Sequence, residues 1–309
     1  MLLWPSSPYM TVRRIAVGAC VLAAMSGSLT MTSAARADVY WSGERFIGQA
    51  RNDGSSPDPT FVRRSLDATA LAADRSHLYW NNGEASDRIG SIGRSRLNGT
   101  RATIFVPKVK QPQGVAVDST HVYWTTNAGS IGRATTAARP NNRQIDRSFI
   151  TGLDEPSGIA VDSRHLYWSE GTSIARANLD GTNVDHSFIS GLNGPLFSIA
   201  VTKSHLYWTE RGADRTSTVA RARKNGTRVD HGFVPGIAGN ATSVAASRSH
   251  IYWSVPGVFK PATRALGRAR LDGTRVNYEL ISGADLVPSS SATVLTGLVV
   301  SRKSVPARR

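Results

Sequence analysis

A Tyr-Trp pair recurs six times, with tryptophans at 41, 80, 124, 168, 208 and 253, separated by 39, 44, 44, 40 and 45 residues. Self-similarity with a period of roughly 20–50 residues marks solenoids, propellers and arrays, whose units bury their apolar faces only against one another. Within one copy, Gly158-Ile159-Ala160-Val161-Asp162 is a short apolar run, Ser163-Arg164-His165 a polar turn, and Leu166-Tyr167-Trp168-Ser169 a second run. Ser173 to Leu179 makes a third and Val184 to Ile189 a fourth. Between these two, Asp180-Gly181 tolerates the positive φ that a type I′ hairpin turn requires. The same turn stands at Asp53-Gly54, Asn98-Gly99, Asn225-Gly226 and Asp272-Gly273, whereas the third repeat carries a longer loop from Thr135 to Asn142. Four strands per repeat make one blade.

The first strand of each copy, as in Gly114-Val115-Ala116-Val117 and Ser198-Ile199-Ala200-Val201, is small and apolar, as the innermost strand of a blade must be. The Tyr-Trp pair on the second strand is expected to fill the gap between blades. The first copy opens at Val39-Tyr40-Trp41 with no first strand, and Thr296-Gly297-Leu298-Val299-Val300-Ser301 is a spare one at the far end. Joining the two completes a blade and removes the open edges of an incomplete ring. The sequence therefore predicts an all-β, six-bladed β-propeller over residues 38–301, closed by the C-terminal strand, with a basic tail at 302–309.

The segments Ile174-Ala175-Arg176-Ala177-Asn178-Leu179-Asp180-Gly181, Gly158 to Asp162 and Leu166-Tyr167-Trp168-Ser169-Glu170 resemble the YWTD repeats of the low-density lipoprotein receptor family. The resemblance covers residues 39 to 301 and implies the same propeller, a fold that in that family binds proteins and is not an enzyme. The six-bladed class is also similar to secreted lactonases and a streptogramin lyase, which act at the central channel. At the fourth motif position the aspartate is replaced by Gly43, Asn82, Thr126, Glu170, Glu210 and Val255, so the family's inter-blade aspartate contacts do not carry over. Flanking cysteine-rich modules are absent and no apolar span follows Leu298, so the receptors' partners do not carry over either.

Arg13 and Arg14 precede an apolar stretch from Ile15 to Leu29, and Ala35-Arg36-Ala37 supplies a small-x-small cleavage pattern, so residues 1–37 read as a signal peptide. Gly18, Ser26, Gly27, Ser28 and Thr30 interrupt the run, which argues against a membrane anchor. Cys20 is the only cysteine, and too few apolar residues precede it for lipidation to be the preferred reading. Exported and cleaved after Ala37, the chain would have no disulfide. The formal charge of +15 becomes +12 once Arg13, Arg14 and Arg36 are removed with that segment. Arginines recur once per repeat, at 94, 133, 176, 221 and 268, and spread around a ring they read as solvated strand faces. A specific nucleic-acid site is not expected, and the protein reads as a monomer.

Histidines 77, 121, 165, 205 and 250 precede the Tyr-Trp pairs and read as turn residues, because blade spacing is too wide for one shared metal. His186 and His231 fall on the outermost strand, as surface residues. No nucleophile elbow, zinc motif or phosphate loop is present. Loops that break the repeat are the place for function. Gln111, Gln113, Asp154, Glu155, Asn193 and Asn240 lie in loops entering the inner strands, where amides and carboxylates could hold a polar ligand or a calcium ion. Long second-to-third-strand loops add Glu84, Asp87, Arg211, Asp214, Arg215, Phe259 and Arg264 as a polar rim. The leading expectation is a secreted, non-catalytic propeller that binds a protein or an anionic cell-surface polymer through this face. The alternative is a lactonase- or lyase-like enzyme using Glu155, Asn193 and Asn240.

Overall fold

The computed structural model describes residues 37–43, 45–63, 68–83, 89–137, 142–212, 216–256, 264–287 and 297–302. The expected signal segment, apart from Ala37, and the tail beyond Arg302 lie outside them. The described residues form six four-stranded antiparallel sheets, the six blades of a propeller. In blade four the inner strand is Ile159–Val161, the second His165–Glu170, the third Ser173–Asn178 and the outer Asp185–Ile189. The six inner strands contact one another in an unbroken circle.

Blade one is assembled from both chain ends. The C-terminal strand Gly297–Arg302 lies innermost and pairs antiparallel with Ala37–Gly43, setting Val39 opposite Val300, Tyr40 opposite Val299 and Trp41 opposite Leu298. The closure expected from the sequence is therefore present, in register with the Tyr-Trp pair.

Alternation along the second strand sends tyrosine to one face of its blade and tryptophan to the other. Each seam consequently holds the tyrosine of one blade and the tryptophan of the next: Tyr40 with Trp80, Tyr79 with Trp124, Tyr123 with Trp168, Tyr167 with Trp208, Tyr207 with Trp253, and Tyr252 with Trp41. None of the twelve rings is more than 3% exposed. Burying roughly 150–250 Å² of aromatic surface contributes about 4–6 kcal/mol per ring before entropic costs. The indole needs room on its own sheet, and in blade three a Cβ on Gly132 would collide with the Trp124 ring.

The recurrent arginines are not solvated strand faces. Arg94, Arg133, Arg176 and Arg221 are half-buried and stack over Phe105, Phe149, Phe188 and Phe233 of their own outer strands, at 4.5, 3.8, 4.0 and 3.8 Å from the ring centroids. Arg133, Arg221 and Arg268 also donate to Leu179, Leu271 and Asn52 carbonyls in the next blade's outer turn. A guanidinium over an aromatic face both covers the ring and keeps donors free for the neighbour. These five arginines are thereby committed to blade docking.

The five repeat histidines sit at the turn between inner and second strands. Asp74, Asp118 and Asp162 accept the N–H groups of His77, His121 and His165 and the hydroxyls of Tyr79, Tyr123 and Tyr167. Thr202 and Ser247 take over the first task in blades five and six.

Two outcomes follow from this architecture. Deleting residues 297–309 strips Trp41 of its Leu298 partner and opens the ring, so the melting temperature should fall by about 10 °C or more; an unchanged melt would contradict closure. Burial holds the five turn histidines below their ordinary pKa of 6.5. Below that value the unfolded chain binds more protons than the native one, so acidification from pH 7 to 5.5 should lower the melting temperature. A His121→Gln/His165→Gln variant should lose less over that interval than wild type, and an equal loss would remove the turn histidines as the cause.

Candidate binding face

The inner strands all begin at one mouth of the channel. A cavity of about 60 Å³ there is lined by Leu71, Val115, Ile159, Ile199, Val244 and Leu298, together with glycines and the hydroxyl residues Thr69, Ser198 and Ser243. Among the described residues, no carboxylate, imidazole or carboxamide contributes to that lining. In blades two, three and four the third motif position sets the inner strand's start. Asn81 Oδ1 accepts N–H groups of Thr69 and Ala70 while its amide donates to Pro112 and Gln113 carbonyls of the next blade. Thr125 and Ser169 hydroxyls accept the N–H groups of Gly114 and Gly158.

The fourth motif position has a different task. Glu210 is 3% exposed, and its carboxylate accepts the Trp208 indole N–H at 2.7 Å, His231 Nδ1 at 2.9 Å and the Asn193 amide at 3.2 Å. A carboxylate oxygen accepts, so His231 Nδ1 is the donor to Glu210. Glu170 repeats the pattern with Trp168 Nε1 at 3.1 Å, His186 Nδ1 at 3.0 Å and the Asp154 N–H at 2.7 Å. Each glutamate thus ties together its own seam tryptophan, its own outer strand and the crossover arriving from the preceding blade. Asn82 takes the indole N–H in blade two. In blade one Trp41 donates instead to the Leu286 carbonyl of the crossover.

His186 and His231 are exposed, as expected, but they are anchored rather than free. A sequence signal for this exists: glutamate at the fourth motif position and histidine next to the outer-strand aspartate occur together in blades four and five and in no other blade. Blade six pairs Val255 with Tyr278, whose ring meets Trp253 edge-on at 6.1 Å.

The remaining sites expected from the sequence separate into four groups. Asn193 bonds Glu210, and Arg211 stands with exposed Phe197: its guanidinium lies 5.2 Å from the Phe197 ring centroid, and Phe197, 44% exposed, stands at the channel mouth. Gln111 and Gln113 flank Pro112 at the start of the blade-three inner strand, where their carbonyls accept bonds from Asn127 and Asn81, and Glu155 and Asn240 lie in two other crossovers. Among the described residues no group of three or more acids, histidines or cysteines could hold a metal ion. Arg264 is buried, not part of an exposed rim. Asp214, Arg215 and Phe259, like Glu84 and Asp87, lie outside the described residues.

The class defined by this architecture is the six-bladed β-propeller of four-stranded blades. No protein-family profile and no curated protein matches the sequence. Among solved structures, the chain is similar to a chain from a crystallised nidogen/laminin complex, with a TM-score of 0.67 and 17% identity over 87% of this chain and 100% of that one. A computationally designed protein, Ika8, aligns over 77% of this chain and 71% of its own at 9% identity, and its TM-score of 0.47 is too low to bear on the fold.

Removing the Glu210 carboxylate orphans a buried indole N–H. Glu210→Ala should therefore cost about 1–3 kcal/mol in urea unfolding, and Glu210→Gln, which keeps an acceptor, clearly less. Equal losses in the two variants would mean that volume rather than the hydrogen bond matters.

Proposed function

We propose that the chain is an exported, non-catalytic binding module whose crossover face docks a protein partner through the sector around blades four and five. The observation that carries this reading is Phe197, 44% exposed at an apolar mouth with the Arg211 guanidinium over it. Aromatic and arginine side chains are the types that concentrate binding energy at protein interfaces. Glu210, bonded to Asn193, holds the crossover that carries Phe197, so little ordering entropy would be lost on docking. A neighbour in fold comes from a nidogen/laminin complex, which supports a protein as the class of partner. Export rests on the basic, apolar and small-x-small pattern of residues 1–37, and no helix among the described residues is long and apolar enough to cross a membrane.

The anionic-polymer reading is weakened because the repeat arginines are engaged at the seams. The enzyme reading needs converging polar groups, whereas Glu155, Asn193 and Asn240 occupy three separate crossovers.

The test compares immobilised wild type with a Phe197→Ser/Arg211→Ala variant against surface-labelled proteins of the native host. A discrete protein should be retained by wild type and lost with the variant, whose melting temperature stays within about 2 °C because both residues are exposed. Identical retention by the two would remove this sector as the docking site.

A further inference from the structure

The turns at the other end of the blades, away from the crossovers, carry a second set of cations that the seams do not use. In blade five the Ser204 carbonyl of the inner turn accepts the Lys224 N–H of the hairpin, and in blade six the Ser249 carbonyl accepts the Leu271 N–H. The Arg221 guanidinium of blade five reaches the Leu271 carbonyl of blade six, so the turns of both blades form one continuous surface. Its cations are Lys203, Arg223, Arg228, Arg248, Arg270 and Arg275, all exposed except half-buried Arg270. Among the described residues none of the six forms an ion pair, whereas Arg221 is engaged with Asp230 and Lys224 with Asp162.

The negative charge that would balance them is missing at the equivalent positions. Asp74, Asp118 and Asp162 cap the inner turns of blades two, three and four, but Thr202 and Ser247 do so in blades five and six. The hairpin aspartate of blades one, four and six is Asn225 in blade five. Asp272 is the one acid in these four turns, and its carboxylate accepts the Thr274 N–H and hydroxyl. With Lys224 already neutralised, six cations face one acid, a net charge of +5. Burial first, and then Arg221 and Arg223, lower the His205 pKa, and no acid opposes that shift. Turn geometry does not call for these cations. Arg228 and Arg275 hold φ of 56° and 52°, the left-handed region that asparagine tolerates better, and blade four has Asn183 there at 53°. Blade three has Ser119 where blade six has Arg248.

We propose that this surface binds a linear anionic polysaccharide across blades five and six. Five of the six cations are arginines, whose planar fork matches the paired oxygens of a sulfate or carboxylate. Exposed Ser204, Asn225, Thr227, Ser249 and Thr274 stand between them and offer hydrogen bonds to sugar hydroxyls. Among the described residues the surface exposes no aromatic ring on which a nucleic-acid base could stack. Val229 is its one large exposed apolar side chain, too little to seat in a bilayer. The seam arginines take no part. The surface lies on the face opposite Phe197, so it stands or falls separately from the docking sector there.

The experiment titrates labelled heparin and labelled polygalacturonate, a sulfated and a carboxylated polysaccharide, with the protein between about 50 and 200 mM salt. Wild type is compared with Arg228→Asn/Arg248→Ser/Arg275→Asn, which places at each position a residue that another blade already uses. A control, Arg45→Ser/Arg63→Ser/Lys110→Ser, removes the same charge from exposed positions at the crossover end. Wild type should bind at least one of the polysaccharides, more weakly as salt rises. The first variant should bind roughly tenfold or more weakly at low salt, with about half the slope of log affinity against log salt. Its melting temperature should stay within about 2 °C of wild type. Arg248→Ser alone should show a smaller loss in the same direction, and the control should bind as wild type does. Binding of heparin alone identifies sulfate as the recognised group, of polygalacturonate alone the carboxylate, and of both any oxyanion carried on a sugar chain. The proposal falls if neither polysaccharide binds or if the control loses as much as the first variant. It also falls if duplex DNA or vesicles containing phosphatidylglycerol bind more tightly than either polysaccharide at the same salt.

Discussion

Everything in this molecule depends on twelve aromatic rings shared between neighbours. A four-stranded blade cannot bury its own faces, and each face is closed by a ring it does not own: tyrosine leaves on one side and the next blade's tryptophan arrives on the other. The exchange satisfies all six blades only if the sixth meets the first, as Tyr252 does with Trp41. Ring closure is thus a consequence of where the aromatics are placed, and the C-terminal strand completes a seam already specified.

Around that core, the polar positions divide by how faithfully they repeat. Residues that recur, such as the turn histidines and the seam arginines, serve turns and blade docking. Those that vary from blade to blade gather at the crossovers. The glutamates of blades four and five each bond the crossover arriving from the preceding blade, the second of which carries exposed Phe197, and blade six places a buried arginine where blades two to five have glycine, threonine or serine. A rigid frame presenting irregular crossovers is the arrangement expected of a scaffold that binds at one face.

Much of the frame was legible in the sequence because it follows short-range rules. The hairpin dipeptides, the apolar inner strands and the unmatched ends each report local geometry, and all appear in the structure. The seam arginines were misjudged because their partners are carbonyls in the next blade, which no spacing within one repeat reveals. The Glu210–His231 pair spans two strands of one sheet and was visible only by asking which residues change together from copy to copy. Arg264 looked like a rim residue because loop position says nothing about burial. Gln111, Gln113 and Asn240 are ambiguous in sequence because turn chemistry and ligand chemistry draw on the same residue types.

The central claim is that six shared seams make one closed, cooperative body. Native-state hydrogen exchange of the strand amides measures it directly, because open repeat arrays fray from their ends whereas a closed ring has none. Amides linking Val39 to Val300 should exchange with the same opening free energy as those linking Leu166 to Ala177 in blade four. Markedly faster exchange confined to blade one would mean that the ring is a stack with a loose end.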